Sequence, residues 1–362
     1  MSCASKVIFI CALACACASQ PDICTQAEDL VYQCRGLSVD FGTCDSPEAQ
    51  DAAELVVAGG CAGLDESKAD VFTQACQGFL RKVFPWCKPE KYECTANAED
   101  HDSARCNQVD GLCQRGYDDV VYATSHNAHN AATMGFIRPN QSKRLYVQLR
   151  DGVRALMIDV YEHKGEAALC HGLCDKLGSQ PLREGLQEVK DFLDCYPQEI
   201  VTLIIEPHTS SASIVDVMES AGLADLAFAH KAADPWPTLG EMVAADKRLM
   251  VFAEEPGIDA PDWYHHQWDY AFDNEFSVGL TGSFRCELER GSANAPLFGL
   301  NHFRTVIGGD EFLSLGANRF NSLMDHVDLC ESTFGRLPNF LAIDFHDIGS
   351  IREVVNTLNA RP

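Results

Sequence analysis

From Tyr117 onward the apolar residues fall into short, β-branched runs, separated by stretches in which apolar positions recur every three or four residues. The runs VVYAT (120–124), VRALMIDV (153–160), AALC (167–170), EIVTLIIE (199–206), RLMVFAEE (248–255) and FLAIDFH (340–346) predict strands, with another around Trp268–Phe276. Between them, helices are predicted around Ser142–Asp151, over PLREGLQEVKDFLDCY (181–196) and over SASIVDVMESAG (211–222). Alternation of this kind builds a parallel sheet, and residues 117–362 approach the ~250 residues of a (β/α)₈ barrel. The expected fold class is therefore α/β, a distorted TIM-type barrel. Residues 256–318 are rich in Gly, Asn and aromatics and poorly periodic, so loops overhanging the barrel mouth are expected there.

Residues 19–116 read differently. They are cysteine-rich and mostly polar, with helix-compatible pieces at AQDAAELVVAGG (49–60) and ADVFTQACQGFLRKVF (69–84). A small, disulfide-stapled, mainly helical module is expected to precede the barrel. Residues 1–18 carry Lys6, an apolar centre from Val7 to Ala18 and the small triplet Ala16-Cys17-Ala18, the layout of a secretory signal cut after Ala18. That run is shorter than the ~20 residues a membrane span needs, and no later segment reaches that length. A secreted, extracellular protein without a transmembrane segment is expected.

The cysteines support the same compartment. Of 18, four lie in the signal, leaving an even number suited to a disulfide framework. Nine fall between Cys24 and Cys113 and five follow, so if every one pairs within the chain, at least one bridge joins the two regions. In Cys170-His171-Gly172-Leu173-Cys174 a disulfide is expected over zinc, because no second pair of ligands accompanies it. The formal charge of -25 excludes nucleic acid as a partner and polybasic docking on anionic lipid. Any membrane contact is expected to be peripheral.

Four of the runs deliver a titratable side chain at or just beyond their C-terminal ends, where a parallel barrel collects its catalytic groups. They bring His126 (in ATSHNAHN), Asp159, His171 and Glu206. Two imidazoles suit proton removal from an attacking hydroxyl and proton donation to a leaving alkoxide. Each alone reads as a structural histidine; the set points to chemistry. Asn127, Asp159 and Glu206 are hard oxygen donors suited to calcium, or equally an acid–amide network that orients the histidines without metal. Asp344 ends the last strand, beside the first in a closed barrel, and can hold the His126 ring or cap a following helix. His346 is a weaker candidate for the same place. Asn140-Gln141-Ser142 is a glycosylation sequon.

TSHNAHN, IRPNQ (137–141), QLRDGVRALMIDVYEH (148–163), LCHGLC (169–174), FLDCYPQEIVTLIIE (192–206), FRCELERG (284–291) and PNFLAIDF (338–345) together resemble the X-type catalytic domain of the phosphatidylinositol-specific phospholipase C superfamily, most of all its secreted, fungal-type branch. The resemblance covers Tyr117–Pro362 and none of the cysteine module. It implies cleavage of a phospholipid-headgroup or glycosyl-phosphatidylinositol-like phosphodiester through a cyclic phosphate, with His126 as base, His171 as acid and Asp344 as the partner of His126. In calcium-dependent relatives an Asn beside the first His, a Glu and an Asp on the second strand and a Glu further on hold the cation. Asn127, Asp159 and Glu206 match, but Met157 stands at the second-strand Glu, and a thioether cannot replace a carboxylate for a hard cation. Metal-free bacterial relatives place an Arg where Asp159 stands; the arginine on this strand is Arg154, the candidate substrate-binding cation. Arg285, Arg304 and Trp268 are candidates for the headgroup cradle. The competing readings are a metal-dependent glycerophosphodiesterase-like enzyme, disfavoured by Ser125-His126-Asn127 and Met157, and a degenerate secreted binding protein.

Overall fold

A computed structural model describes residues 22–35, positions 50, 53, 57 and 94, and residues 104–361 except 277, 280, 281 and 305–307. The expected signal at 1–18 and the helix expected at 69–84 lie outside the described residues; within 49–60 the described positions 50, 53 and 57 are helical. The chain divides into two compact units, Met1–Pro89 and Glu90–Pro362. In the first, a helix spans Ile23–Arg35, and the Asp22 carboxylate accepts from the Thr25 backbone N–H at 3.0 Å just ahead of it.

Residues 90–116, assigned from sequence to the cysteine module, fall in the second unit. The Asn107 side chain accepts from Ile200 N at 2.8 Å, and Leu112 and Cys113 join the core around Tyr117 and Leu239. Disulfides Cys94–Cys195 and Cys106–Cys113 secure the segment, and the first is the bridge between early and late cysteines that the odd counts require. Cys170–Cys174 and Cys286–Cys330 are also paired.

Eight parallel strands form the sheet: β1 Tyr122–Ser125, β2 Ala155–His163, β3 Val201–His208, β4 Leu249–Ala253, β5 His265–His266, β6 Ala271–Asn274, β7 Leu297–Asn301 and β8 Phe340–Ile343. Their spatial order follows chain order, and β8 pairs with β1 (Ile343 beside Ser125), as a TIM-type barrel requires. Among the described residues no ladder joins β5 to β6; a 3₁₀ turn, Gln267–Asp269, links them, so the barrel is open at that seam. Three antiparallel strands are added: Glu166–Leu169 on β2, Gln180–Pro181 on that strand in turn, and Leu288–Gly291 on β6. The segment 256–318 therefore holds, besides β6 within the strand expected around Trp268–Phe276, the further strands β5 and β7. These strands run only two to five residues and β6 and most of β7 are buried, so they show no polar alternation to read.

Strand parity decides what faces inward. Tyr122, Ala155, Ile204, Met250, Phe252, Ala271, Leu297 and Phe340 pack inside the barrel, while Leu156, Ile158, Leu203, Ile205, Leu249 and Val251 pack outward with Leu182, Leu186, Val189 and Phe192 of helix Leu182–Cys195. Helix Ile351–Asn359 covers β1 and β8 through Ile351, Val354, Val355 and Leu358, the one-face spacing its sequence carries.

Candidate functional site

Continuing the inward parity to the C-terminal ends of the strands brings His126 (after β1), Asp159 (β2), Glu206 (β3), Glu254 (after β4), Asp273 (β6), Asn301 (β7) and Asp344 (after β8) to the mouth. Apolar side chains fill the barrel below them, so the polar layer begins where the strands stop. His126, Asn127, Met157, Asp159, Glu206, Glu254, Phe276, Arg290, Asn301 and Phe303 line one cavity of about 160 Å³.

His126 is held on three sides. Its Nδ1 lies 2.8 Å from Asp344 Oδ1, and its ring stacks on Phe303 with centroids 3.6 Å apart and planes 5° from parallel. Asp344 Oδ1 also accepts from Asn140 Nδ2 at 3.0 Å, and Asn130 Nδ2 donates to Asn140 Oδ1 at 2.7 Å. With Asp344 an acceptor on both sides, Nδ1 of His126 carries the proton and Nε2 keeps its lone pair. The Gln141 amide donates to the carbonyls of both His126 and Ile343, stitching the two strand ends together. Asn127 and Phe345, the residues just after His126 and Asp344, both adopt left-handed φ of 45° and 51°; Asn tolerates this, whereas in Phe it is strain concentrated at the site. Asn140 is buried with its amide committed to Asp344, so the sequon is structural and closed to glycosylation in the folded chain.

His171 follows the short strand Glu166–Leu169, is half-buried, and sits in the loop closed by Cys170–Cys174. Burial lowers its pKa, the nearby His126 lowers it further, and Glu206 and Asp344 act in the opposite sense. The two imidazoles are thus near enough for each other's charge to matter. His346 lies elsewhere: its Nε2 faces Asp151 at 3.3 Å.

The acids form a row. Asp159 registers beside Glu206 across β2 and β3, and Glu254, whose N–H donates to the Ile205 carbonyl at 2.9 Å, follows level with Glu206 on the next strand. Burial, then Glu206 and Glu254, push Asp159 well above the usual carboxylate range. Burial likewise raises Glu254, to about 7, although Arg290 opposes the shift. Glu206 is more exposed and pairs with His208 at 2.8 Å. Arg290 Nη1 meets both oxygens of Glu254 at 3.0 Å, and its Nε donates to Asp273 Oδ2 at 3.0 Å. The guanidinium lies between Trp268 and Phe276, 4.7 and 4.6 Å from their ring centroids. Its strand reaches β6 through Gly291, at φ 78°, where a Cβ would stand 2.3 Å from the Ala271 carbonyl oxygen.

Residues 112–359 match the family model described as PI-PLC X 1. The chain belongs to the PI-PLC X family. Similar curated proteins include a PI-PLC X domain-containing protein 1 of Arthroderma benhamiae, 28% identical over 70% of this chain and 89% of its own. A PI-PLC X domain-containing protein of Arabidopsis thaliana is 26% identical over 80% of this chain and 76% of its own. An uncharacterized secreted protein of Arthroderma benhamiae is 27% identical over 71% of this chain, which spans 63% of that relative's length. Among solved structures, the phosphatidylinositol-specific phospholipase C from Listeria monocytogenes aligns with a TM-score of 0.49 and 14% identity, over 72% of this chain and 99% of its own.

Against the PI-PLC X expectations, His126, Asn127, Asp159 and Glu206 share the cavity, with Asp344 behind His126, whereas His171 is not among the residues that line it. Arg154 does not join them, and its assignment to substrate is corrected. It precedes β2, at the opposite end of the barrel, and its parity turns it outward toward Phe192. Its Nε donates to Glu199 at 2.6 Å and its Nη1 to the Leu149 and Val153 carbonyls. Arg285 is exposed beside Glu287, and Arg304 caps the carbonyls of Gly279 and Gly282. The cation of the cavity is Arg290, with Trp268 beneath it. Glu254, Asp273 and Phe303 join the site without having been expected there, and Asn140, expected as a sequon, serves it through Asp344. Inward parity at the strand ends was the available signal for the two acids.

Proposed function

We propose that this PI-PLC X protein is a secreted phosphoric diester hydrolase that cleaves a phospholipid-headgroup or glycosyl-phosphatidylinositol-like diester through a cyclic phosphate. The observation that carries the reading is the Asn140–Asp344–His126 chain, which leaves the His126 Nε2 lone pair free in a cavity lined by His126. His126 Nε2 takes the proton of a substrate hydroxyl as its oxygen bonds to phosphorus, and His171 gives a proton to the alkoxide as the opposite P–O bond breaks. Phe303 and Asp344 fix the ring plane and stabilise the imidazolium formed.

The donor set fits a hard divalent cation such as calcium. Asn127 and Asp159 are each about 5% exposed, line the cavity, and have no side-chain hydrogen bond among the described residues. Asn127, Asp159 and Glu206 would hold the ion, which when bound neutralises charge on the phosphate oxygens. The disulfides of the described residues agree with export, and among the same residues no helix is long and apolar enough to cross a membrane.

The test is incubation of the mature protein with phosphatidylinositol vesicles, with and without chelator, followed by phosphorus NMR. Appearance of a cyclic inositol phosphate, abolished by His126→Ala and by His171→Ala, is the expected result. Absence of hydrolysis on every lipid phosphodiester tried refutes it and favours a binding role. For export, the culture-medium protein should begin at Ser19.

A further inference from the structure

Three carboxylates, Asp159, Glu206 and Glu254, line a mouth whose one guanidinium among the described lining residues is Arg290, and Asp273 pairs with that guanidinium. Asp273 and Glu254 do not have equal claims on it. Asp273 receives Nε, Nη2 and the Arg290 backbone N–H, whereas Glu254 meets Nη1 alone. With Asp273 on one edge and Trp268 and Phe276 on its faces, the guanidinium stays anchored when Glu254 turns away.

Glu254 lines the same cavity as the two buried donors Asn127 and Asp159, which have no side-chain hydrogen bond among the described residues, and its strand position is level with Glu206. Asn127 offers one amide oxygen and Asp159 and Glu206 two each, at most five of the roughly six to eight that calcium takes, so water or a further side chain must complete the shell; Glu254 raises what the protein itself can supply to seven. Met157 lines the same cavity two residues before Asp159, on the same face of β2, and contributes only a soft thioether.

We infer that Glu254 is a direct ligand of a divalent cation at the barrel mouth, exchanged between Arg290 and the ion, and that it supplies the carboxylate that position 157 lacks. This rests on the cation reading above and extends it to a residue outside the expected set. Exchange leaves Arg290 Nη1 free to meet an anionic oxygen while the guanidinium keeps its hold on Asp273.

The experiment is titration of the mature full chain with Ca²⁺ by calorimetry and with Tb³⁺ by sensitised luminescence, for wild type, Asp159→Asn, Glu254→Gln and Glu254→Gln/Met157→Glu. Near-UV circular dichroism reports that each variant is folded; Glu254→Asp, which keeps the charge, replaces Glu254→Gln should that variant misfold, with weakening still expected from the shorter reach. The expected result is binding by wild type, at least tenfold weaker binding in Glu254→Gln, and recovery in the double variant. Wild-type affinity in Glu254→Gln, with loss in Asp159→Asn, overturns the role of Glu254 and leaves a three-residue site. Loss without recovery by Met157→Glu overturns the compensation. Failure of the wild type to bind either ion removes the cation reading itself, and this inference with it.

Discussion

Arg154 offers the sharpest separation of structural from functional charge. Its guanidinium and the Glu199 carboxylate are 4% and 1% exposed, and three of its nitrogens are engaged by Glu199 and two backbone carbonyls. Glu199→Leu leaves a guanidinium uncompensated in the interior, and Arg154→Met leaves a buried carboxylate; breaking such a pair from one side costs about 3–5 kcal/mol. Replacing both, as Arg154→Met/Glu199→Leu, removes the two desolvated charges together, so the double variant should lie nearer to wild type than either single one. Urea unfolding of the barrel unit measures all four corners of the cycle, and a coupling of about 3 kcal/mol is expected. Folded Arg154→Met should hydrolyse substrate at the wild-type rate per molecule, because the side chain sits at the far end of β2 from His126. Single variants within ~1 kcal/mol of wild type, or a folded Arg154→Met with a raised KM, would refute the structural assignment.

Asp344→Asn keeps the shape at His126 but offers Nδ1 an amide in place of a carboxylate, so turnover should fall roughly 10²–10⁴-fold with the melting curve little changed; a wild-type rate sinks the base assignment. Burial, and then His326, push His302 down to about 3, whereas the unfolded chain titrates near ~6.5. The unfolded chain therefore takes up the proton that the native state refuses. The stability His302 contributes is complete above pH 6.5 and declines toward pH 3 by about 1.4 kcal/mol per unit. The difference in unfolding free energy between wild type and His302→Gln should thus be flat above pH 6.5 and shrink by about 2 kcal/mol at pH 5; no slope counts against it. Removing Cys94–Cys195, which spans 101 residues, should destabilise by about 4–5 kcal/mol and spare activity per folded molecule. Removing Cys170–Cys174, which spans four, should lower stability by about 2 kcal/mol yet impair turnover by loosening His171; the opposite pattern would separate that loop from the chemistry.

Much of this molecule is written locally. The β-branched runs of β1 to β4 and β8, and the one-sided apolar spacing of helix Leu182–Cys195, follow from the periods of strand and helix, which need no partner to be read. His126, Asp159 and Glu206 stood out for the same reason, each ending a visible run. β6 falls within the strand expected around Trp268–Phe276, but the short strands β5 and β7 were hidden because two and five mostly buried residues show no alternation, and the boundary at residue 89 because a Cys94–Cys195 bridge leaves no trace in spacing. The roles of single charges were decided only by tertiary structure. Arg154 and Glu199 neutralise each other in the outer layer, Arg290 arrives at the mouth on an added hairpin, and Glu254 becomes a neighbour of Asp159 through the register of three strands. Charge acts through space over a few ångströms, and no local pattern records which residues separated by tens of positions will share that distance.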